Sequence, residues 1–232
     1  MHVAFDADDT LWHNEDEFQV AHREFESLLS PWADAKEVDD CLYRIEMRNL
    51  SRYGYGVKTF MLAMMETSLE ISGGEAGADV VSEILSLGHH LLDRPAKLID
   101  GIIGVLDDLS AHDLMLITKG DLTHQLARIA SSGIADRFRV LEVVAEKDTS
   151  TYADLLARHG VSIDGFVMVG NSLRSDVSPI LELGGRAVHV PYHVTWAHES
   201  EHGEQFTSND HQSRLATIDS IVDLPAIIRA WS

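Results

Sequence analysis

Apolar and polar positions alternate along this chain in two distinct rhythms. Short apolar runs that stop abruptly at polar residues predict strands over 2–5 (HVAF), 114–118 (LMLIT), 138–144 (FRVLEVV), 165–170 (GFVMVG) and 186–191 (RAVHVP). Between the last four, apolar residues recur three or four apart: Leu122, Leu126 and Ile129; Leu155 and Leu156 with His159; Val177, Ile180, Leu181 and Leu183 ahead of Gly184 and Gly185. Strand, helix, strand at this spacing predicts a Rossmann-like parallel sheet with helices on both faces, an α/β core.

The first strand does not share that rhythm, because only helical periodicity follows it. Phe18, Ala21, Phe25, Leu28 and Leu29 form one stripe, ended by Pro31. Val38, Leu42 and Ile45 form a second; Val57, Phe60, Met61, Met64 and Leu69 a third, ending near Gly73 and Gly74; Val80, Ile84, Leu87 and Leu91 a fourth, closed by Pro95. LIDGIIGVLDDL then starts a helix leading back to the sheet. The expected organisation is a core of 1–14 and 96–232 with an all-helical insertion over 15–95.

With 232 residues, 45% of them hydrophobic, the chain can bury a sizeable core. Its formal net charge of −20 leaves no basic stripe for nucleic acid or an anionic membrane. A phosphate would need a local cationic site or a metal. The single cysteine, Cys41, has no partner for an internal disulfide, which fits a reducing compartment. No charged leader precedes the first strand and no apolar run approaches a membrane span, so the expected location is cytoplasmic.

In an open parallel sheet, ligands bind beyond the carboxyl ends of the strands. Strand 1 ends in Asp6, Ala7, Asp8, Asp9 and Thr10; strand 2 in Thr118, Lys119 and Gly120; Lys147 follows strand 3; strand 4 ends in Gly170, Asn171 and Ser172, with Asp176 beyond. Clustered carboxylates become tolerable around a divalent cation, and hard oxygen ligands suit Mg2+. An ionised carboxylate there can attack phosphorus, and a second can protonate the leaving oxygen and then deprotonate water. A lysine and a hydroxyl can hold the remaining phosphate oxygens, which makes Thr118, Lys119 and Lys147 candidate phosphate ligands.

These stretches resemble the four motifs of the haloacid dehalogenase (HAD) superfamily of phosphohydrolases. FDADDTLW is similar to the first, Asp-x-Asp-x-Thr after an apolar strand; LMLITKG to the second; Lys147 in AEKD to the third; GFVMVGNSLRSDV to the fourth. The resemblance implies that Asp6 is the nucleophile that becomes an aspartyl phosphate. It makes Asp8 the general acid and base, with its carbonyl on the metal. Thr118 and Lys147 would bind the phosphoryl group, Asn171 and Asp176 would complete the Mg2+ site, and the helical block would be a cap. The implied activity is hydrolysis of a small phosphate monoester. A phosphomutase, a 2-haloacid dehalogenase or a non-catalytic ligand-binding member of the same fold are the alternatives.

Two positions depart from the family pattern: Asp9 stands where Gly is usual, and Asn171 where Asp is usual. A rival motif, HESEH at 198–202, matches the zinc-protease pattern, but its surroundings are polar and the expectation is a solvated loop after strand 5. Tyr53, Tyr55, Phe60, Met61, Met64 and Met65 are expected mainly in the core of the helical insertion. Arg48 and Lys58 are its candidate cations for a second anionic group on the substrate.

Overall fold

The computed structural model describes residues 1–194, 196 and 213–232. The chain divides into two compact units, one of 1–15, 96–119 and 125–232, the other of 16–95 and 120–124.

The first unit is built on a parallel sheet whose described strands are β1 (His2–Phe5), β2 (Asp113–Lys119), β3 (Val140–Val144), β4 (Phe166–Gly170), β5 (Arg186–His189) and β6 (Leu215–Thr217). Their order is β3-β2-β1-β4-β5-β6, and every pairing is parallel. β1, β2 and β4 are almost wholly apolar because neighbours cover both faces. Alternate residues divide between two cores. Val3, Phe5, Leu114, Leu116, Val167, Val169 and Val188 face one side, where they pack with α5 (Ile102–Asp108), Ile129 of α6 (Leu122–Ser131) and α9 (Leu224–Trp231). Ala4, Met115, Ile117, Phe166, Met168 and Ala187 face the other, against α7 (Thr149–His159) and α8 (Ser178–Glu182). The period-2 side-chain direction of a strand thus assigns each residue its core.

The second unit holds α1 (Glu15–Leu29, whose first residue belongs to the first unit), α2 (Ala35–Tyr53), α3 (Val57–Ile71) and α4 (Ala78–Asp93). The four stripes meet in one core that includes Phe25, Leu29, Leu42, Ile45, Phe60, Met64 and Ile84. Met61 and Met65 pack against it, whereas Tyr53 is half exposed. Asp34 and Glu37 form a reciprocal capping box at the start of α2. Gly88 lets α4 approach α3, since a Cβ there would lie 2.1 Å from Met61 Sδ.

The five expected strands form, with the third starting two residues later and the fifth ending two earlier than the pattern suggests. β6 and α9 carry no expectation above. β6 is three residues long, below what a periodicity can register, whereas Leu224, Ile228 and Trp231 around Pro225 are a legible helical signal. The HESEH stretch at 198–202 lies outside the described residues. No helix among the described residues is long and apolar enough to cross a membrane.

Two carboxylates set the local geometry at chain reversals. Asp9 has φ 60°, the left-handed region that disfavours side chains. Its carboxylate repays part of that cost by accepting the backbone N–H of Asn14 (2.8 Å) and Glu15 (3.0 Å) at the start of α1. Asp148 caps α7, accepting Thr151 N–H and the Ser150 hydroxyl, each at 2.7 Å; these bonds hold its carboxyl below the usual range. Asp9→Ala is expected to cost about 1–2 kcal/mol, because the strain stays and the cap is lost. Asp9→Gly should cost less, since glycine enters this conformation freely; urea unfolding of both variants checks the order. Asp148→Ala should cost about 1 kcal/mol at neutral pH. Because the folded-state pKa is depressed, that contribution exists above the unfolded carboxylate pKa and disappears as pH falls through the folded one, so unfolding curves of wild type and variant should converge in acid.

Candidate active site

The strand order reverses between β1 and β4, and the polar strand ends collect beside that crevice, as an open α/β sheet requires. Asp6 leaves β1 with its N–H on the Val169 carbonyl (2.9 Å). Lys147, 3% exposed, follows β3 and reaches back, placing Nζ 2.5 Å from Asp6 Oδ1 and 2.7 Å from Asp176 Oδ1. Asp176 Oδ2 accepts the Ser172 N–H at 3.0 Å. Asp176 lies on one π-helical turn, Leu173–Val177, which opens by one residue and swings its side chain back over the end of β4. Only glycine permits this: a Cβ on Gly170 would lie 2.2 Å from Asp176 Oδ2.

Thr10 Oγ1 lies 3.4 Å from Asp6 Oδ2 and 3.3 Å from Asn171 Oδ1, so those two oxygens share one hydroxyl neighbour. The Asn171 carbonyl accepts from His189 Nε2 (3.0 Å), and burial lowers the pKa of that imidazole. Lys119 Nζ donates to Ser175 Oγ (2.8 Å) and stands 3.6 Å from Glu146, while Tyr152 Oη donates to the Ser175 carbonyl (3.1 Å). The loop carrying Asn171 and Asp176 is therefore braced from β2 and α7.

Asp8 is held separately. Trp12 Nε1 donates to its Oδ1 (2.7 Å) and Gln125 Nε2 to its Oδ2 (2.9 Å). The same Gln125 nitrogen is 2.7 Å from Thr118 Oγ1 and 3.1 Å from the Lys119 carbonyl. Arg128 is buried, with Nη2 on the His13 carbonyl (2.9 Å) and 3.6 Å from Asp8 Oδ1; its guanidinium lies over the Trp12 ring. Its Nε and Nη1 are buried without a hydrogen-bond partner.

The electrostatics are unbalanced toward negative charge. Burial pushes Asp6 up to about 7; Asp176 and Asp8 add to this, and Lys147 opposes it. Burial also works against the Lys147 charge, but Asp176 and Asp6 outweigh it and raise its pKa. Burial and the neighbouring Asp8 push Asp9 up to about 8. One lysine does not satisfy this group of acids, and a further cation would. The donors on offer, Asp6 Oδ2 and Asn171 Oδ1, are hard oxygens, which fits Mg2+ and not a soft metal.

The structure thus gathers Asp6, Lys147, Asn171 and Asp176 tightly, with Asp8, Thr118 and Lys119 joined to them through Gln125 and Ser175. Gln125, Arg128 and Trp12, the partners of Asp8, were not among the expected site residues; Gln125 and Arg128 lie three apart on a buried face of α6 that also holds His124 and Ile129, whereas Leu122 and Leu126 of the expected stripe are exposed. Arg48 pairs with Glu66, and Lys58 with both oxygens of Asp121 (2.9 and 3.0 Å), so these two cations are engaged within the helical unit.

A family model described as haloacid dehalogenase-like hydrolase matches residues 1–184, which contain all of these strand ends. Among solved structures, a haloacid dehalogenase-like family hydrolase from Xanthomonas campestris is 37% identical, with 100% of this chain and 91% of that one covered and a TM-score of 0.87. L-2-haloacid dehalogenase from Xanthobacter autotrophicus shares the fold at 15% identity, with 100% and 99% covered and a TM-score of 0.65. So does the HAD-hydrolase YfnB from Bacillus subtilis, in a structure bound to magnesium, at 18% identity, with 98% and 97% covered and a TM-score of 0.60. A search of curated proteins found no match. With its strand order, its motif residues and these matches in agreement, the chain belongs to the haloacid dehalogenase-like hydrolases.

Proposed function

We infer that this hydrolase is a Mg2+-dependent phosphatase that cleaves a small-molecule phosphate monoester through an aspartyl phosphate on Asp6. The observation that carries the reading is Asp8, a second carboxylate two residues beyond Asp6 and hydrogen-bonded through Gln125 to Thr118. Displacement of halide at carbon has no leaving oxygen to protonate and gives such a residue no task. Asp6 Oδ2 and Asn171 Oδ1 would hold the cation with the Asp8 carbonyl, and Asp176 would complete the site. Bound there, Mg2+ would neutralise phosphate charge as it develops.

Asp6 attacks phosphorus as the carboxylate, and the ester P–O bond breaks. The departing alkoxide takes a proton from Asp8. Asp8, now ionised, removes a proton from the water that attacks the acyl phosphate, releasing phosphate and restoring Asp6. Both Asp8 oxygens accept hydrogen bonds in the described geometry, which fixes the orientation of its carboxyl group. Thr118, Lys119 and Lys147 supply the hydroxyl and positive charge for phosphoryl oxygens. In this reading the helical unit serves as the substrate-selecting cap.

Asn171 favours a second reading. It offers an oxygen without the usual charge, so metal affinity falls, and a metal-independent reaction at Asp6 or ligand binding without turnover becomes the competitor. A screen of phosphate monoesters and 2-haloacids, with EDTA or Mg2+, separates these. Phosphate release that EDTA abolishes, excess Mg2+ restores and Asp6→Asn lowers by about 10³-fold or more, with unchanged circular dichroism, is the expected result. Halide release insensitive to EDTA would overturn the phosphatase assignment. Gln125→Leu should lower kcat by about ten- to a hundredfold, within the contribution of one acid–base group, and leave KM nearly unchanged; steady-state kinetics on the best ester measure it.

A further inference from the structure

Outside the strand-end motifs, α1 carries His22 and Glu26 four residues apart, hence on one face of the helix. Asp39 on α2 meets them. His22 Nε2 is 3.3 Å from Asp39 Oδ1 and 3.7 Å from Glu26 Oε1, and all three ligating atoms lie within 4.8 Å of one another. These residues belong to the helical unit alone.

The decisive detail is the imidazole nitrogen. Nε2 is buried, lies near two carboxylates and has no hydrogen-bond partner among the described residues. At 3.3 and 3.7 Å, neither carboxylate makes a hydrogen bond with it. The spacing suits something else. Four ligands held about 2.0–2.1 Å from a zinc ion stand about 3.3–3.4 Å apart along the edges of the tetrahedron, close to the 3.3 and 3.7 Å that separate His22 Nε2 from the two carboxylates. One imidazole and two carboxylates give a donor set of mixed nitrogen and oxygen, unlike the oxygen donors beside Asp6, and suited to zinc over magnesium. Asp39 is about half exposed and His22 and Glu26 about a quarter, so water can reach a fourth position.

The geometry points to a divalent zinc site on the surface of the helical unit, formed by His22 Nε2, Glu26 and Asp39 with water as the fourth ligand. Zinc there clips the second half of α1 to the start of α2, near the loop that joins them. The site is independent of the phosphatase reading, because none of its residues takes part in that chemistry.

The test is calorimetric titration of Zn2+ into the full-length protein, with excess Mg2+ present to occupy oxygen-only sites. Wild type is expected to bind zinc at micromolar concentration. His22→Asn and the exposed substitution Asp39→Asn should each remove one zinc equivalent or weaken it at least tenfold. The double variant His198→Ala/His202→Ala should retain that equivalent, which separates this cluster from the histidine-rich stretch. A thermal melt should rise with Zn2+ in wild type and not in His22→Asn. Absence of micromolar binding, a stoichiometry and affinity unchanged in Asp39→Asn, or loss of the zinc only in the His198/His202 variant would overturn the proposal and leave an ion-pair cluster.

Discussion

The architecture of the site depends on one buried positive charge. Lys147 comes from the segment after β3 and neutralises Asp6 after β1 and Asp176 after β4, so a single ammonium ties three strand ends together. Taking such charges out of water costs several kcal/mol per ion, and only close pairing offsets it. Removing the lysine would leave two buried acids unpaired, a loss of about 3–5 kcal/mol for each such broken pair. In the proposed reaction the same residue would also carry the charge a phosphoryl group meets. The π-helical turn and Gly170 are consequences of this arrangement: without the wider turn and the missing Cβ, Asp176 could not reach Lys147.

That neutralisation is incomplete, and the deficit has a location. Asp176 spends its oxygens on Lys147 and the Ser172 N–H, whereas Asp6 Oδ2 has only a long contact with Thr10. Asp6 consequently drifts toward protonation, which would disable the nucleophile of the proposed reaction. A cation beside Asp6 Oδ2 would reverse the drift. Asn171 provides an oxygen near that place without adding to the repulsion among the acids.

Asp8 and Asp9 show how adjacent carboxylates acquire different roles. Asp8 turns toward Trp12, Gln125 and Arg128, whose indole, amide and guanidinium surround its carboxylate. Asp9 turns the other way, onto the backbone amides at the start of α1, and accepts left-handed backbone to do so. In its family position glycine would make the turn without strain. Here the carboxylate makes the turn and caps the helix, at the expense of burying a charge whose pKa rises.

The sequence alone was enough for the parallel core and the helical block, because burial on two faces and burial on one stripe leave different periodicities in local residues. It also placed Asp6, Thr118, Lys147, Asn171 and Asp176 at strand ends, since their meeting requires only that parallel strands align their carboxyl ends. Three features were decided in three dimensions. Two of the three partners of Asp8, Gln125 and Arg128, come from α6, more than a hundred residues away, and a buried Gln or Arg looks in sequence like any polar residue on a helix. β6 exists because β5 offers it an edge; three residues have no periodicity of their own. The His22, Glu26 and Asp39 cluster needs the angle at which α1 folds back on α2. The i,i+4 pair was legible, but the third ligand was set by helix packing, which depends on the shapes of the buried side chains and not on the spacing of the charged ones.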